Sequence, residues 1–163
     1  MKRIGILSDT HGTIPPQVYT FFRDCDELWH AGDIGPGVLE PLREFKPIRA
    51  VWGNCDSFEI YNQLPEYDFF ICDGLRVLMM HICGSPGHYR PQARRQITLA
   101  NPDILVCGHS HILKVVRDSE FDMLYINPGA AGRQGLHRVC TLVRFVIDGH
   151  PKDMEVMDFE KNV

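Results

Sequence analysis

The N-terminal segment constrains the fold most, because a short apolar run stops abruptly on two metal-binding side chains. Residues 4–7 read Ile-Gly-Ile-Leu, and Asp9 and His11 follow almost directly, one residue apart. In open α/β folds, ligands bind at the sheet edge where the strands have their carboxyl ends. A carboxylate and an imidazole together suit a divalent metal of intermediate softness. Such a pair is common on loops, so this segment alone is only a weak prediction of a metal site.

The same arrangement recurs at four further predicted strand ends. Apolar runs at 27–30, 48–52, 75–80 and 104–107 each stop at, or shortly before, a side chain that can bind a metal. Each such residue taken alone fits an ordinary turn, but five successive strand ends are hard to obtain by chance. If the strands lie side by side, one sheet edge collects seven side chains: Asp9, His11, Asp33, Asn54, His81, His109 and His111.

The remaining pattern predicts a single α/β domain over residues 1–163. Helices are predicted at 15–24, 37–45 and 91–100, from proline starts and apolar spacing. Two Asp-Gly pairs predict hairpins, which join strand 67–72 to 75–80 and strand 139–147 to 154–159. Further strands are predicted at 113–117 and 123–126. Because strands outnumber helices, we expect two sheets packed face to face with helices outside.

Charge and hydropathy exclude several functions. The chain carries a net charge of −4 and has no basic run, so binding to extended nucleic acid is not expected. Its apolar runs are far shorter than the ~20 residues of a membrane helix, so no membrane association is predicted. The apolar run after the basic N-terminus is also too short for a signal peptide. We therefore expect a cytoplasmic protein.

The six cysteines allow a disulfide framework, but reduced thiols are the better prediction. A chain of this size does not need covalent cross-links, and it shows no export signal. Cys72, Cys107 and Cys140 also lie in or beside apolar strand-like runs, where a reduced cysteine acts as a small apolar side chain.

The set of motifs resembles the signature of the calcineurin-like metallophosphoesterases, in particular their compact bacterial and archaeal phosphodiesterases. The resemblance extends from residue 1 to about residue 150. It rests on Asp9-x-His11, Gly32-Asp33, Gly53-Asn54-Cys55-Asp56, His81, Gly108-His109-Ser110-His111 and the loop Asn127-Pro128-Gly129. It implies a four-layer αββα sandwich of two mostly mixed sheets and a hydrolase with two divalent metal ions.

The resemblance also implies how the ligands divide and which reaction they support. One metal would be held by Asp9, His11, Asp33 and His111. The second would be held by Asp33, Asn54, His81 and His109, with Asp33 bridging the two. A hydroxide between the metals would attack a small phosphodiester in line. The two carboxylates and this hydroxide would neutralise about three of the four positive charges on two divalent cations. About one positive charge would remain to attract the phosphate. The residues expected to take part in catalysis are Asp33, Asn54, Cys55 and His81.

The expected metal follows from the ligand types. Four imidazoles argue against a dedicated Mg²⁺ site, because Mg²⁺ prefers oxygen ligands. Mn²⁺, Fe²⁺, Zn²⁺, Ni²⁺ and Co²⁺ all accept mixed nitrogen and oxygen ligands. The resemblance favours Mn²⁺.

Cys55 departs from many phosphomonoesterase relatives, which have a histidine after the asparagine. A thiol is a different acid from imidazolium, and Cys55 is either a proton donor or an inert small residue. Because diesters with good leaving groups need less protonation of the leaving group, phosphodiesters are the favoured substrates and phosphomonoesters the alternative.

A third alternative is a protein-binding scaffold, since a retromer subunit of this family has lost part of the metal set. Small relatives also suggest a homodimer or homotetramer.

Other candidate residues have weaker signals. His88 either contacts substrate phosphate or is merely exposed, and His30 either supports the metal ligands or packs in the core. Surface positions are expected for His137, His150, Arg94 and Arg95, and core positions for Trp29 and Trp52.

Overall fold

A computed structural model describes residues 1–161, and over that range the chain forms two stacked five-stranded sheets flanked by helices. The predicted strands and helices are present, with shifted ends. In chain order the elements are β1 (Lys2–Leu7), α1 (Pro16–Phe21), β2 (Glu27–His30), α2 (Leu39–Phe45), β3 (Ile48–Ala50), α3 (Phe58–Tyr61), β4 (Tyr67–Cys72), β5 (Leu75–Met80), α4 (Pro91–Ala100), β6 (Ile104–Val106), β7 (Leu113–Asp118), β8 (Met123–Pro128), β9 (Val139–Ile147) and β10 (Pro151–Glu160).

Both sheets are mixed, as predicted. The first has the order β10-β9-β1-β2-β3, in which β1, β2 and β3 run parallel and β9 is antiparallel to β1. The second has the order β4-β5-β6-β8-β7, with a parallel centre of β5, β6 and β8. The parallel strands of each sheet therefore present their carboxyl ends at a common edge.

The side chains of β1 show how the layers form. Ile4 and Ile6 belong to the apolar core between the sheets, whereas Leu7 packs on the opposite face with α1 and α2. A side chain at Gly5 would lie 2.6 Å from the Phe22 ring, so only glycine fits there under the helix layer. On the outer face of the second sheet, Ile97 of α4 packs with Leu78 and Leu105. The four-layer αββα sandwich is thus confirmed.

Element boundaries differ from the predictions in a few places. The helix α1 ends at Phe21, three residues before the predicted end. The four-residue helix α3 was not predicted, because it buries only Ile60 and so has no apolar repeat. The strand β10 begins at Pro151 instead of 154, and an irregularity in its pairing lies between Lys152 and Glu155. Over the described residues, no helix has the length and apolarity needed to cross a membrane.

The prediction of reduced cysteines is wrong at two positions. Cys83 and Cys107 form a disulfide across 24 residues of sequence, and both are almost completely buried. The bond joins the loop after β5 to the end of β6, two neighbouring strands of the second sheet. Sequence reasoning missed it because the two residues become neighbours only through the pairing of these strands. Cys25, Cys55, Cys72 and Cys140 are free thiols.

We expect loss of the disulfide in the variant Cys83→Ala/Cys107→Ala to lower the free energy of unfolding by about 3 kcal/mol, because the bond restricts the unfolded chain. Urea denaturation with and without a reducing agent measures this. The reductant should destabilise the wild type and leave the double variant unchanged. Thiol titration of the denatured protein should find the four free cysteines. Six titratable thiols without reductant would contradict the assignment.

Candidate metal centre

All seven predicted metal ligands lie at the strand edge where the two sheets meet. The turns after β1 and β2 are joined by backbone hydrogen bonds, from the Asp9 amide to the Gly32 carbonyl and from the His11 amide to the Asp33 carbonyl, each 3.0 Å long. In the second sheet, the Gly108 amide donates to the His81 carbonyl at 3.0 Å. The two pairs of turns thus bring distant parts of the sequence to one place.

The first group of ligands surrounds the Asp9 carboxylate. The Nε2 atom of His111 lies 3.2 Å from Asp9 Oδ1, and the Nε2 atom of His11 lies 3.7 Å from the same oxygen. Donor atoms of these three residues all lie within 4.8 Å of one another, a spacing that could hold a metal ion.

The second group surrounds the Asp33 carboxylate. The Nε2 atom of His81 lies 3.1 Å from Asp33 Oδ2, and donor atoms of Asp33, His81 and His109 lie within 4.8 Å of one another. The Oδ1 atom of Asn54 is 3.1 Å from Nδ1 of His109. His11 Nε2 also approaches Asp33 Oδ2 to 3.7 Å, so the two groups adjoin. This grouping matches the expected division of ligands, which stays a prediction.

Three ligand atoms in this centre are buried and have no hydrogen-bond partner among the described residues: Asp9 Oδ1, His11 Nε2 and His81 Nε2. Buried polar atoms are normally paired, and leaving one unpaired costs about 1–3 kcal/mol. The three atoms belong to neighbouring residues of the two groups and are of the types that coordinate divalent metals. The residues therefore fit a metal centre.

The backbone at the site adopts a conformation that is rare outside glycine. Five of the seven residues have positive φ, a region that Asp, Asn and His enter more readily than other residues but still at a cost. They are Asp9 at 56°, His11 at 45°, Asp33 at 53°, His109 at 72° and His111 at 62°. Such strain is concentrated at functional sites, where the surrounding structure imposes it.

The glycines that precede the ligands in the sequence motifs make room for other ligands. A Cβ atom at Gly53 would lie 2.2 Å from Asp33 Oδ1. A Cβ atom at Gly108 would lie 2.2 Å from Ser8 Oγ and 3.0 Å from His81 Nδ1. These motifs therefore need glycine for close packing between turns.

Further hydrogen bonds hold the ligand side chains in place. The Ser8 hydroxyl donates to Asp9 Oδ2 at 2.6 Å, and the Cys55 amide donates to Asp33 Oδ1 at 2.8 Å. His81 Nδ1 lies 2.7 Å from the Ala31 carbonyl. A carbonyl only accepts, so Nδ1 carries the proton and Nε2 is free to bind a metal.

His30 supports the turns without touching the predicted metals. It is fully buried, and its Nδ1 atom accepts a hydrogen bond from the Gly32 amide at 3.2 Å. Its Nε2 atom therefore donates to the Thr10 hydroxyl at 2.9 Å, which donates to the Ile34 carbonyl at 2.7 Å. Burial lowers the pKa of His30 to about 3, so the ring stays neutral and keeps this pattern. These hydrogen bonds link Thr10, which lies between Asp9 and His11, to Ile34, which follows Asp33.

Two more polar residues tie the loops together. Asp56 accepts from the Gly35 amide through Oδ1 and from the Gly53 amide through Oδ2, each at 2.9 Å. Asn127 is buried and donates from Nδ2 to the Gly108 carbonyl at 2.9 Å. Both residues lie within the sequence motifs, and only that position indicates a role for them.

Charge interactions shift the pKa values of the two groups. Burial would raise the pKa of Asp9, but the neighbouring histidines and the Ser8 hydroxyl together outweigh it, and the pKa falls far below its usual range. Burial would lower the pKa of His81, but the nearby Asp33 and Asp9 carboxylates together outweigh that effect and raise the pKa. A metal ion at His81 therefore competes with a proton, so its affinity should fall as the pH is lowered.

The site is buried on one side and open on the other. Asp9, Asp33 and His81 are at most 3% exposed, whereas Asn54 and His109 are exposed. A ligand can therefore reach the centre from the side of Asn54 and His109.

The other candidate residues divide as follows. His137 was expected on the surface but is partly buried, with its ring 5.1 Å from that of His111 and its Nε2 atom 2.8 Å from the Gly132 carbonyl. That prediction is wrong, because the fold brings the start of β9 beside the turn after β6.

His88 and His150 are exposed. Arg94 is exposed and pairs with Glu120, as expected of a solvated helix face. Arg95 is also exposed, Trp29 is fully buried between the sheets, and Trp52 is only partly buried.

Comparison with known proteins agrees with this geometry. The profile of the calcineurin-like phosphoesterase superfamily domain matches residues 1–149. A protein described as a probable metallophosphoesterase, from Methanothermobacter thermautotrophicus, is 32% identical over 161 residues, covering 94% of this chain and 91% of its own. The chain therefore belongs to the calcineurin-like phosphoesterase superfamily.

Solved structures with the same fold include an enzyme and a sorting protein. A structure described as a novel archaeal phosphodiesterase has a TM-score of 0.77 at 22% identity, covering 96% of this chain and 99% of the other. Vps29 from Chaetomium thermophilum has a TM-score of 0.75 at 16% identity, covering 99% and 100%. At these identities the likeness shows the fold.

We expect Gly53→Ala to weaken Mn²⁺ binding about 10- to 100-fold, the usual effect of disturbing a residue that positions a ligand. The new methyl group would collide with Asp33 Oδ1. Titration calorimetry of the metal-free protein measures the affinity, and Ser57→Ala, an exposed change on the same loop, is the control. Equal affinity for Gly53→Ala and wild type would show that Asp33 does not bind the metal.

Proposed function

We propose that this chain is a metal-dependent phosphodiesterase that hydrolyses small phosphodiesters with two divalent ions, Mn²⁺ being favoured. One observation carries the proposal: two buried carboxylates, Asp9 and Asp33, each lie among histidine nitrogens, and three ligand atoms have no hydrogen-bond partner among the residues that the structure describes. Bound divalent cations supply a water ionised near neutral pH and neutralise charge on the phosphoryl oxygens. Membership of the family supports the reaction class.

The chain's own residues position these parts. Asp9, His11 and His111 would hold one cation, and Asp33, Asn54, His81 and His109 the other, with Asp33 shared. Asp9 and Asp33 are buried. The exposed side, at Asn54 and His109, leaves space for the phosphate.

Cys55 bears on the choice between diesters and monoesters. Its thiol is exposed, and its Sγ atom lies within 4.8 Å of donor atoms of His11 and Asp33. Burial and the nearby carboxylates, Asp33 above all, raise the pKa of the Cys55 thiol in the protein without metal. A thiol protonates a poor leaving group less readily than an imidazolium does. This supports diesters with good leaving groups over monoesters.

The ligand set favours an enzyme over a protein-binding scaffold. All seven positions that the resemblance assigns to metal binding hold suitable side chains in this chain. Five of them also keep a strained backbone. This strain is understandable if ligand geometry is needed for a reaction.

We expect the Mn²⁺-loaded protein to hydrolyse bis(p-nitrophenyl) phosphate and EDTA to abolish the activity. Asp33→Asn should lower kcat/KM about a thousandfold or more, about 4 kcal/mol, because both cations depend on this carboxylate. His150→Ala, a change at an exposed histidine, is the control and should keep the wild-type rate. Circular dichroism checks folding. No hydrolysis of any phosphate ester by metal-loaded wild type, or a normal rate for Asp33→Asn, would overturn the proposal.

We expect Cys55→His to shift the preference from diesters toward monoesters, because an imidazolium can protonate the leaving group that a thiol does not. The measurement is the ratio of kcat/KM for bis(p-nitrophenyl) phosphate to that for p-nitrophenyl phosphate. Cys55→Ala serves as the control for loss of the thiol alone. An unchanged ratio in Cys55→His would show that this position does not act on the leaving group.

A further inference from the structure

A groove runs from the metal centre toward the start of α4. It has a volume of about 360 Å³ and shares Asn54 and His81 with the candidate metal centre. Small-molecule sites typically have volumes of about 300–1,000 Å³. A larger cavity of about 470 Å³, lined by residues such as Arg3 and Arg144, includes none of the predicted metal ligands. The smaller groove is therefore the one that can hold part of a substrate.

Part of the groove lining is apolar and aromatic. It includes Trp52, Met80 and Ile82. The Trp52 ring lies 4.5 Å from the ring of Tyr61, and the Tyr61 hydroxyl lies 3.4 Å from the carbonyl of Asn54. The aromatic pair is thus fixed beside a predicted metal ligand.

The rest of the groove lining includes side chains that form hydrogen bonds. Arg90 is exposed, and its guanidinium has no hydrogen-bond or ion-pair partner in the part of the chain that the structure describes. Gln92 donates to Glu66 at 3.2 Å, which leaves the other polar atoms of these two side chains available. A free guanidinium, an amide and a carboxylate can together recognise donors and acceptors on the edge of a planar ring.

We infer that this groove binds one esterified arm of the substrate and that the arm carries a planar ring with hydrogen-bonding groups, as a nucleobase does. Trp52 would contact the ring face, and Arg90 its polar edge or an attached anionic group. The inference rests on the proposed function, because it places the scissile phosphate at Asn54 and His81. It makes Trp52 and Arg90 the residues that determine substrate specificity.

The test compares two esters with the same leaving group. Thymidine 5′-(p-nitrophenyl phosphate) carries a nucleoside arm, and methyl p-nitrophenyl phosphate carries a methyl group instead. Since ring stacking on an aromatic side chain contributes substantially to binding, we expect kcat/KM of the Mn²⁺-loaded wild type to be roughly tenfold higher for the nucleoside ester. Trp52→Leu and Arg90→Gln should each bring this ratio toward one. Trp52→Phe should keep most of it, because an aromatic face remains.

Two matched controls separate the groove from general effects. Arg95→Gln changes an exposed arginine on α4, the helix that follows Arg90, and Phe58→Leu changes an aromatic residue that is 75% exposed. Both should keep the wild-type ratio. A wild-type ratio near one, or an unchanged ratio in Trp52→Leu, would overturn the inference.

A binding measurement distinguishes failure of this inference from failure of the proposed function. Calorimetry on the Mn²⁺-loaded protein compares thymidine 5′-monophosphate with methyl phosphate. We expect the nucleotide to bind roughly tenfold more tightly to wild type and the difference to disappear in Trp52→Leu. This result without hydrolysis of either ester would support the groove and reject the phosphodiesterase. Equal affinities, whether or not the esters are hydrolysed, would reject the groove.

Discussion

The structure depends on the burial of two carboxylates at the edge where its two sheets meet. Asp9 and Asp33 are at most 3% exposed, and an uncompensated charge in such a place is costly. The chain supplies compensation from both sheets: His11 follows β1, and His81 and His109 come from the second sheet. The His109 amide donates to Asp9 Oδ2 at 3.2 Å across the sheets. Three ligand atoms still have no hydrogen-bond partner within residues 1–161, as expected of a site that could hold metal ions.

The same constraint explains the local sequence around each ligand. Each turn must place a side chain at the shared edge while neighbouring turns pass within contact distance. Glycine at 53 and 108 gives the space, and left-handed backbone at the Asp and His positions gives the direction. His30 and Asn127 then fix the turns through buried hydrogen bonds. The motifs are therefore requirements of packing as much as of chemistry.

Much of this could be predicted from the sequence because strand ends in an α/β fold share an edge. The apolar runs before Asp9, Asp33 and His81 predicted the strands, and their endings predicted which residues would meet. What could not be predicted depends on contacts between distant segments. The Cys83–Cys107 disulfide and the position of His137 beside His111 follow from sheet pairing, which no local pattern records. The short helix α3 has too few residues to show a period.

The net charge of −4 does not oppose the proposed anionic substrate. The relevant charge is local, because bound cations can dominate the field at the site. In the proposed function, the cations would contact only the phosphate, and the groove beside Asn54 would supply selectivity for the rest of the substrate.

The most direct test is anomalous diffraction from a crystal grown with Mn²⁺. The account predicts two manganese peaks at the sheet edge, one among Asp9, His11 and His111 and one among Asp33, His81 and His109, with the Asp33 carboxylate contacting both. A map without peaks at this edge, or with Asp33 and His109 turned away from each other, would contradict it.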